Sequence, residues 1–179
     1  MAVDRWLKNK VCQMCGALFT PVRPMMIVCS PACAMKKVRQ EKVAERAKVR
    51  TRKEAIKSRA DWAKEAQQAF NAWIRARDEG LPCISCGRHH QGQWHAGHYL
   101  STGARPELRY TESNVHRQCA PCNTHLSGNA VLYRIGLIER IGLQAVEWLE
   151  GPHEMPKWTA DDYRAIRDTY RAKLRELKK

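Results

Sequence analysis

Apolar residues recur every three or four positions in one stretch of the chain, at Trp62, Ala66, Ala69, Phe70, Trp73 and Ile74. This is the period of a helix that buries one face. Asp61 stands where an N-cap is needed, and Gly80 and Pro82 follow the last apolar position. The pattern therefore predicts an amphipathic helix from Asp61 to about Asp78.

The C-terminal third shows the same period in three shorter pieces. Thr159 and Asp162 have the spacing of a capping box, and Gly151-Pro152 breaks the chain before it. We predict helices whose buried faces are formed by Val131, Leu132, Ile135, Ile138 and Ile141, then by Ala145, Val146, Trp148 and Leu149, and last by Tyr163, Ile166, Tyr170 and Leu174.

Residues 34–59 differ from both regions because they have almost no apolar stripe. Basic residues far outnumber Glu41, Glu45 and Glu54, no glycine or proline interrupts them, and the residue types favour helix. A helix that is polar on all sides is usually a solvated connector. We predict a helix that becomes firmly ordered on an anionic partner, with candidate DNA contacts at Lys36, Lys37, Arg39, Lys42, Arg46, Arg50 and Lys53.

The charge of the whole chain points to the same kind of partner. Among 179 residues, 32 are Lys or Arg and 18 are Asp or Glu, which gives a net charge of +14. Such an excess favours nucleic acid, ahead of an anionic membrane surface. There is no apolar run of ~18 residues that would span a bilayer, and the N-terminus lacks a signal pattern. We expect a cytoplasmic protein whose cysteines stay reduced.

All eight cysteines fall into close pairs that form two groups of four. Paired C-x-x-C spacing is typical of tetrahedral zinc sites. We therefore predict two structural Zn²⁺ ions, one held by Cys12, Cys15, Cys29 and Cys33, and one held by Cys83, Cys86, Cys119 and Cys122. In the first group, Met25–Val28 is predicted as a short strand, and Ser30-Pro31 as the start of a helix that carries Cys33.

Histidine and asparagine side chains lie within and just beyond the second group of cysteines. If thiolates hold the zinc, then His95, His98, His116 and His125 remain available for other chemistry. A neutral histidine is a general base near pH 7, and a hard divalent ion can neutralise a phosphodiester. A histidine on a strand that faces a helix carrying Asn123 and His125 would supply both parts.

This segment resembles the HNH, or ββα-metal, endonuclease motif. The motif's first histidine matches Gly97-His98-Tyr99, its middle asparagine matches Asn114, and its last position matches Cys122-Asn123. The resemblance implies that His98 activates water, that Asn114 orients it, and that Asn123 binds a catalytic Mg²⁺ or Mn²⁺. Many such nucleases have an aspartate ligand where this chain has Gly97, so either His95 or His125 is expected to complete the metal site.

Most of the chain also resembles the NinG, or Rap, family of phage recombination proteins. The resemblance rests on the N-terminal finger, Leu81-Pro-Cys-Ile-Ser-Cys-Gly87, Ala96-Gly-His-Tyr99, Gln118-Cys119 and the segment from Cys122 to Asn129. It implies an endonuclease that acts on branched DNA, including Holliday junctions and D-loops, in the host cytoplasm. Symmetric cutting would favour a homodimer, and host or phage recombination proteins are candidate partners.

We therefore predict a helix-rich α+β fold in three parts: an N-terminal zinc module at 1–33, a basic helical linker at 34–60, and a zinc-stapled ββα-metal core with flanking helices at 61–179. Two other functions fit the same residues. One is a zinc-finger DNA-binding accessory protein with no catalysis, and the other is a recombination scaffold that recruits a separate nuclease. Metal-dependent cleavage distinguishes the enzyme from both.

Overall fold

The structure is a computed structural model that describes residues 8–179. Residues 1–7, with the beginning of the predicted zinc module and the segment examined for a signal, lie outside the described residues. The chain divides into two compact units, at residues 1–57 and 58–179. The secondary structure is mainly helical with two small antiparallel sheets, which confirms the predicted helix-rich α+β class.

The first unit begins with a two-stranded ribbon of β1 (Lys10–Val11) and β2 (Leu18–Phe19). The strand predicted at Met25–Val28 is wrong, since these residues form no strand. They follow the turn at Pro21–Pro24 instead, where the Gln13 N–H donates to the Ile27 carbonyl at 3.1 Å and Lys10 Nζ donates to the Met26 carbonyl at 3.4 Å.

Helix α1 (Pro31–Ala55) starts as its sequence predicts. Ser30 Oγ accepts a hydrogen bond from the Cys33 N–H at 3.3 Å, and Pro31 occupies the first turn. Cys33 is the helix's one buried residue, and every residue from Val38 to Lys53 is exposed. This confirms a helix that is solvated on all sides, because it has no apolar stripe to bury.

The second unit is organised by helix α2 (Arg59–Arg77). Its buried residues are the six that the periodicity predicts: Trp62, Ala66, Ala69, Phe70, Trp73 and Ile74. Only its start differs, because Ser58 is the N-cap and Asp61 is the third residue of a capping box, its carboxylate accepting from Ser58 N–H at 3.0 Å. The helix packs against α5 (Ala160–Glu176), which Thr159 and Asp162 cap as predicted.

A hairpin lies next to these helices and carries the segment between the cysteine pairs. Strand β3 (Trp94–His98) pairs antiparallel with β4 (Val115–Cys119), with Gly97 opposite His116 and His95 opposite Gln118. Cross-strand partners share a face of a sheet. One face therefore carries Ala96, His98, Val115 and Arg117, of which Ala96 and Val115 pack in the α2–α5 core, and the other face carries His95, Gly97, His116 and Gln118.

After β4 the chain makes one π-helical turn, Pro121–His125, so Asn123 and His125 lie on a helical segment as predicted. Left-handed backbone at Ser127 and Asn129, with φ values of 48° and 46°, ends that turn before α3 (Ala130–Ile141). Helix α4 (Leu143–Glu150) follows directly. In chain order, the hairpin is thus followed by the π-helical turn, α3 and α4.

The predicted buried faces of α3 and α4 are partly wrong. Helix α3 buries Tyr133 and Leu137, and it exposes three residues predicted as core: Val131, Leu132 and Ile135. Apolar residues surround most of this helix, so periodicity alone does not select a side. In α4, Val146 and Leu149 are buried as predicted, but Trp148 is exposed and lies against the His153 ring. Among residues 8–179, no helix combines the length and apolar character needed to cross a membrane.

Candidate metal centres and active site

The four cysteines of the first unit converge on one point. Their sulfur atoms all lie within 4.8 Å of one another, and Cys15 and Cys29 approach to 3.5 Å. Four thiolates around a tetrahedral zinc would be spaced by about 3.8 Å. The turn is shaped by Gly16, whose φ of 74° lets its N–H reach the Cys12 carbonyl at 2.9 Å. The geometry fits one structural zinc.

The second cysteine group is built in the same way in the other unit. Its sulfurs also lie within 4.8 Å of one another, and Gly87 N–H bonds the Cys83 carbonyl at 2.9 Å. The Cys119 N–H points at Cys83 Sγ, 3.4 Å away, as backbone donors to metal-bound thiolates do. Since Cys119 ends β4 and Cys122 lies in the following turn, a zinc here would fasten the hairpin to the turn.

His98 lies at the end of β3, where its ring is oriented by the backbone. Its Nε2 is 3.0 Å from the carbonyl oxygen of Arg109. A carbonyl only accepts, so Nε2 carries the proton and Nδ1 keeps the lone pair. Burial lowers the pKa of His98 below its ordinary value, and the bond to Arg109 opposes this only in part. The imidazole is therefore a neutral, oriented base.

Asn114 is fully buried and fixes the loop that follows His98. Its side-chain amide donates to the Leu100 and Leu108 carbonyls at 3.0 and 3.3 Å, and its Oδ1 accepts from the Leu100 N–H at 2.9 Å. Its backbone carbonyl also accepts from Tyr99 N–H at 2.8 Å. All of these contacts are to backbone. Asn114 thus positions the strand end that carries His98 without touching the imidazole.

Asn123 and His95 come together on the face of the sheet that also carries Gln118, opposite the face that packs on α2 and α5. Asn123 Nδ2 lies 3.2 Å from His95 Nδ1, which places a side chain of β3 against the turn after Cys122. His125, the other predicted metal ligand, is exposed. The sequence left these two histidines as alternatives, and the geometry brings His95, not His125, to Asn123.

Two further residues shape this site, although the sequence did not single them out. Tyr133 of α3 is buried, and its hydroxyl donates to the Gly97 carbonyl at 2.8 Å, directly before His98. Gln118 of β4 is also fully buried, and its Oε1 lies against Gly97 without a hydrogen-bond donor. Strand alternation could have placed Gln118 on the same face as His95, but nothing in the sequence marks Tyr133.

The predicted DNA-contact residues lie on α1, and most of them share one side. At about 100° per residue, an arc of about 120° holds six of the seven predicted contacts, and Lys37 falls on the far side. Lys37 instead bonds Gln13 Oε1 at 2.9 Å and lies 3.4 Å from Glu41. The six that form this basic stripe are Lys36, Arg39, Lys42, Arg46, Arg50 and Lys53.

Comparison with known proteins identifies relatives along almost the whole chain. The family model described as bacteriophage lambda NinG protein matches residues 4–179. Protein ninG of Salmonella phage P22 is 43% identical over 193 residues, covering 97% of this chain and 94% of that protein. Protein ninG of Escherichia phage lambda is 43% identical over 183 residues, covering 92% and 90%. No solved structure gives a significant match. The chain therefore belongs to the NinG family of bacteriophage proteins.

Proposed function

We propose that this protein is a metal-dependent endonuclease of the HNH type that cuts branched recombination intermediates such as Holliday junctions and D-loops. The observation that carries the proposal is the orientation of His98. Its Nε2 is tied to the Arg109 carbonyl at 3.0 Å, at the end of a hairpin whose other face presents Asn123 and His95. An oriented neutral imidazole on the same short strand as His95, with Asn123 against it, supplies a base and a metal-binding group, the two parts that phosphodiester hydrolysis requires.

In this mechanism His98 Nδ1 takes a proton from the water that attacks phosphorus, and the 3′-oxygen leaves. The proton can be accepted because burial keeps the imidazole neutral. The Asn114 carbonyl accepts from the Tyr99 N–H at 2.8 Å, and Tyr133 donates to the Gly97 carbonyl at 2.8 Å, so both neighbours of His98 are fixed. A rigid base in one tautomer lowers the cost of reaching the reactive geometry.

Asn123 would hold the Mg²⁺ or Mn²⁺ through Oδ1, which would lie 3.0 Å from a Cβ on Gly97. Its Nδ2 can only donate, so it donates to His95 Nδ1 at 3.2 Å, and His95 then carries its proton on Nε2 and supports the Asn123 amide. When bound, the ion neutralises the scissile phosphate and the leaving oxygen. The zinc ions are structural, since all four ligands of each are thiolates and no position stays open.

DNA affinity is expected to come mainly from the basic stripe of α1. Substituting Arg39 and Arg46 with Gln should weaken binding and reduce the slope of log K against log salt by about 2, since each lost phosphate contact removes about one unit. The matched control, Lys48→Gln with Arg52→Gln, removes the same charge from the far side of the helix. Equal slopes for the two pairs, measured by fluorescence anisotropy, would place the DNA elsewhere.

The pH dependence follows from the lowered pKa of His98. A base acts in its neutral form, and a lowered pKa keeps that form dominant as the pH falls, so activity should be lost only well below the ordinary value of 6.5. We expect the acid limb of kcat/KM, at saturating Mg²⁺, to have its midpoint below pH 6.5. A midpoint at or above 6.5 would exclude a buried His98 as the base. Besides burial, two groups of Arg109 act on the pKa of His98: the backbone carbonyl raises it by accepting a hydrogen bond, and the guanidinium charge lowers it.

The chemistry is tested most simply by the ends of the products. Departure of the 3′-oxygen leaves a 3′-hydroxyl and a 5′-phosphate, so cut strands should be substrates for DNA ligase, and EDTA should stop cutting. Products with 3′-phosphate would contradict the mechanism. Tight DNA binding with no cleavage in Mg²⁺ or in Mn²⁺ would favour the alternative function, a zinc-finger DNA-binding accessory protein without catalysis.

A further inference from the structure

The contact between Gly97, which precedes His98, and Gln118 suggests how this protein completes its catalytic metal site. The argument rests on the proposed function. Where many HNH nucleases have an aspartate ligand, this chain has Gly97, so the usual carboxylate is missing. The space beside Gly97 is filled from the neighbouring strand. A Cβ built on Gly97 would overlap Gln118 Oε1 and would lie 3.0 Å from Asn123 Oδ1.

The orientation of the Gln118 amide is fixed by its other end. Nε2 donates to the Gly128 carbonyl and to Ser85 Oγ, both at 2.6 Å. Because the Gly128 carbonyl can only accept, the amide cannot be turned over, and Oε1 must face Gly97. The surrounding strand and turn therefore hold Oε1 beside Gly97, where Asn123 Oδ1 also lies.

Gln118 Oε1 is also unsatisfied. The residue is fully buried, and Oε1 has no hydrogen-bond partner among residues 8–179. A buried acceptor without a donor is unfavourable, so such an atom calls for a partner. His95 Nε2, on the residue that pairs with Gln118 across the sheet, also lacks a partner, but it carries the ring proton because Asn123 Nδ2 donates to Nδ1.

We propose that Gln118 Oε1 is a ligand of the catalytic divalent cation, with Asn123 Oδ1, and that it replaces the carboxylate missing at Gly97. Amide oxygens suit Mg²⁺ and Mn²⁺. Both groups are neutral, so the site has no ligand charge to offset that of the ion. The cation therefore binds weakly to the free protein and tightly once a DNA phosphate supplies the negative charge.

The test measures Mn²⁺ binding to the zinc-loaded, full-length protein by electron paramagnetic resonance, with and without a DNA four-way junction. In the wild type, the junction should tighten Mn²⁺ binding. Gln118→Met keeps the volume but removes the oxygen, and it should weaken Mn²⁺ binding to the complex by about tenfold or more. Ser85→Ala is the matched control, because it removes one partner of Nε2 and leaves Oε1 in place. It should bind Mn²⁺ as the wild type does.

A second variant keeps the test decisive if Gln118→Met fails to fold. Gly97→Asp combined with Gln118→Gly removes both Gln118 atoms that a Cβ at position 97 would meet and restores a carboxylate, so it should bind Mn²⁺ even without DNA. Unchanged Mn²⁺ affinity in Gln118→Met, at normal zinc content and melting temperature, would overturn the assignment, and so would a double variant that folds but still needs DNA for Mn²⁺.

Asn123→Ala separates this inference from the proposed function. If Asn123→Ala loses Mn²⁺ and Gln118→Met keeps it, the metal site stands and Gln118 is only structural. If neither variant alters Mn²⁺ binding, or if the wild-type complex binds none, the metal site is elsewhere and the proposed function falls as well.

Discussion

Replacing Cys119 with Ser should release one zinc per chain and unfold residues 58–179. Structural zinc contributes about 10–16 kcal/mol in small zinc-bound folds, which equals or exceeds the whole stability of a typical domain. Cys119 is fully buried at the end of β4, and its N–H also bonds Cys83 Sγ, so the site joins the hairpin to the first cysteine pair. The loss should be visible by circular dichroism and by zinc analysis.

Cys15→Ser is the matched control, since it breaks the other cysteine group, which lies in residues 1–57. It should also release one zinc but leave the melting transition of residues 58–179 in place. Wild-type zinc content and an unchanged melting temperature in Cys119→Ser would contradict a stabilising zinc ion bound through Cys119.

Replacing His98 with Ala should reduce the single-turnover cleavage rate by about 10²–10⁴-fold, the usual contribution of a general base. DNA affinity should change little, because the expected phosphate contacts are on α1 and not on the hairpin. Both quantities can be measured on one labelled junction, by quenched-flow or manual time courses and by anisotropy. His89→Ala is the control, because His89 is an exposed histidine of the same unit.

A His98→Ala variant that cuts at the wild-type rate would remove His98 as the base. A rate lost together with DNA binding would instead show that the substitution disturbed the binding surface. Normal cutting by His89→Ala is needed to attribute the effect to position 98 rather than to the removal of any histidine.

Some parts of the fold could be predicted because the signal is local. Helix α2 has a single apolar face with polar residues on the other side, so its six buried residues follow from spacing alone. The cysteine groups were equally clear, because thiolate pairs at fixed spacing have few other uses in a reducing compartment. The cap at Ser30 is likewise a matter of neighbouring residues.

Other parts depend on contacts that are distant in the chain. Helix α3 is apolar on most sides, and its buried side is selected by Tyr133 reaching the Gly97 carbonyl, 36 positions away. The choice between His95 and His125 required knowing where the turn after Cys122 crosses the sheet. Gln118 becomes informative only when its amide is seen to be anchored at Gly128 and aimed at Gly97. In the sequence, Gly97 shows only that the aspartate ligand is absent, and it does not indicate which residue occupies the space beside it.

One cleavage assay tests most directly whether this NinG-family protein cuts branched DNA, as we propose. Wild-type protein is incubated with a labelled four-way junction and with a linear duplex of matched sequence, in Mg²⁺, in Mn²⁺ and in EDTA. We predict cuts near the branch point in the junction, an intact duplex, and no cutting in EDTA. An intact junction in both metals, under conditions in which anisotropy shows it fully bound, would contradict the account.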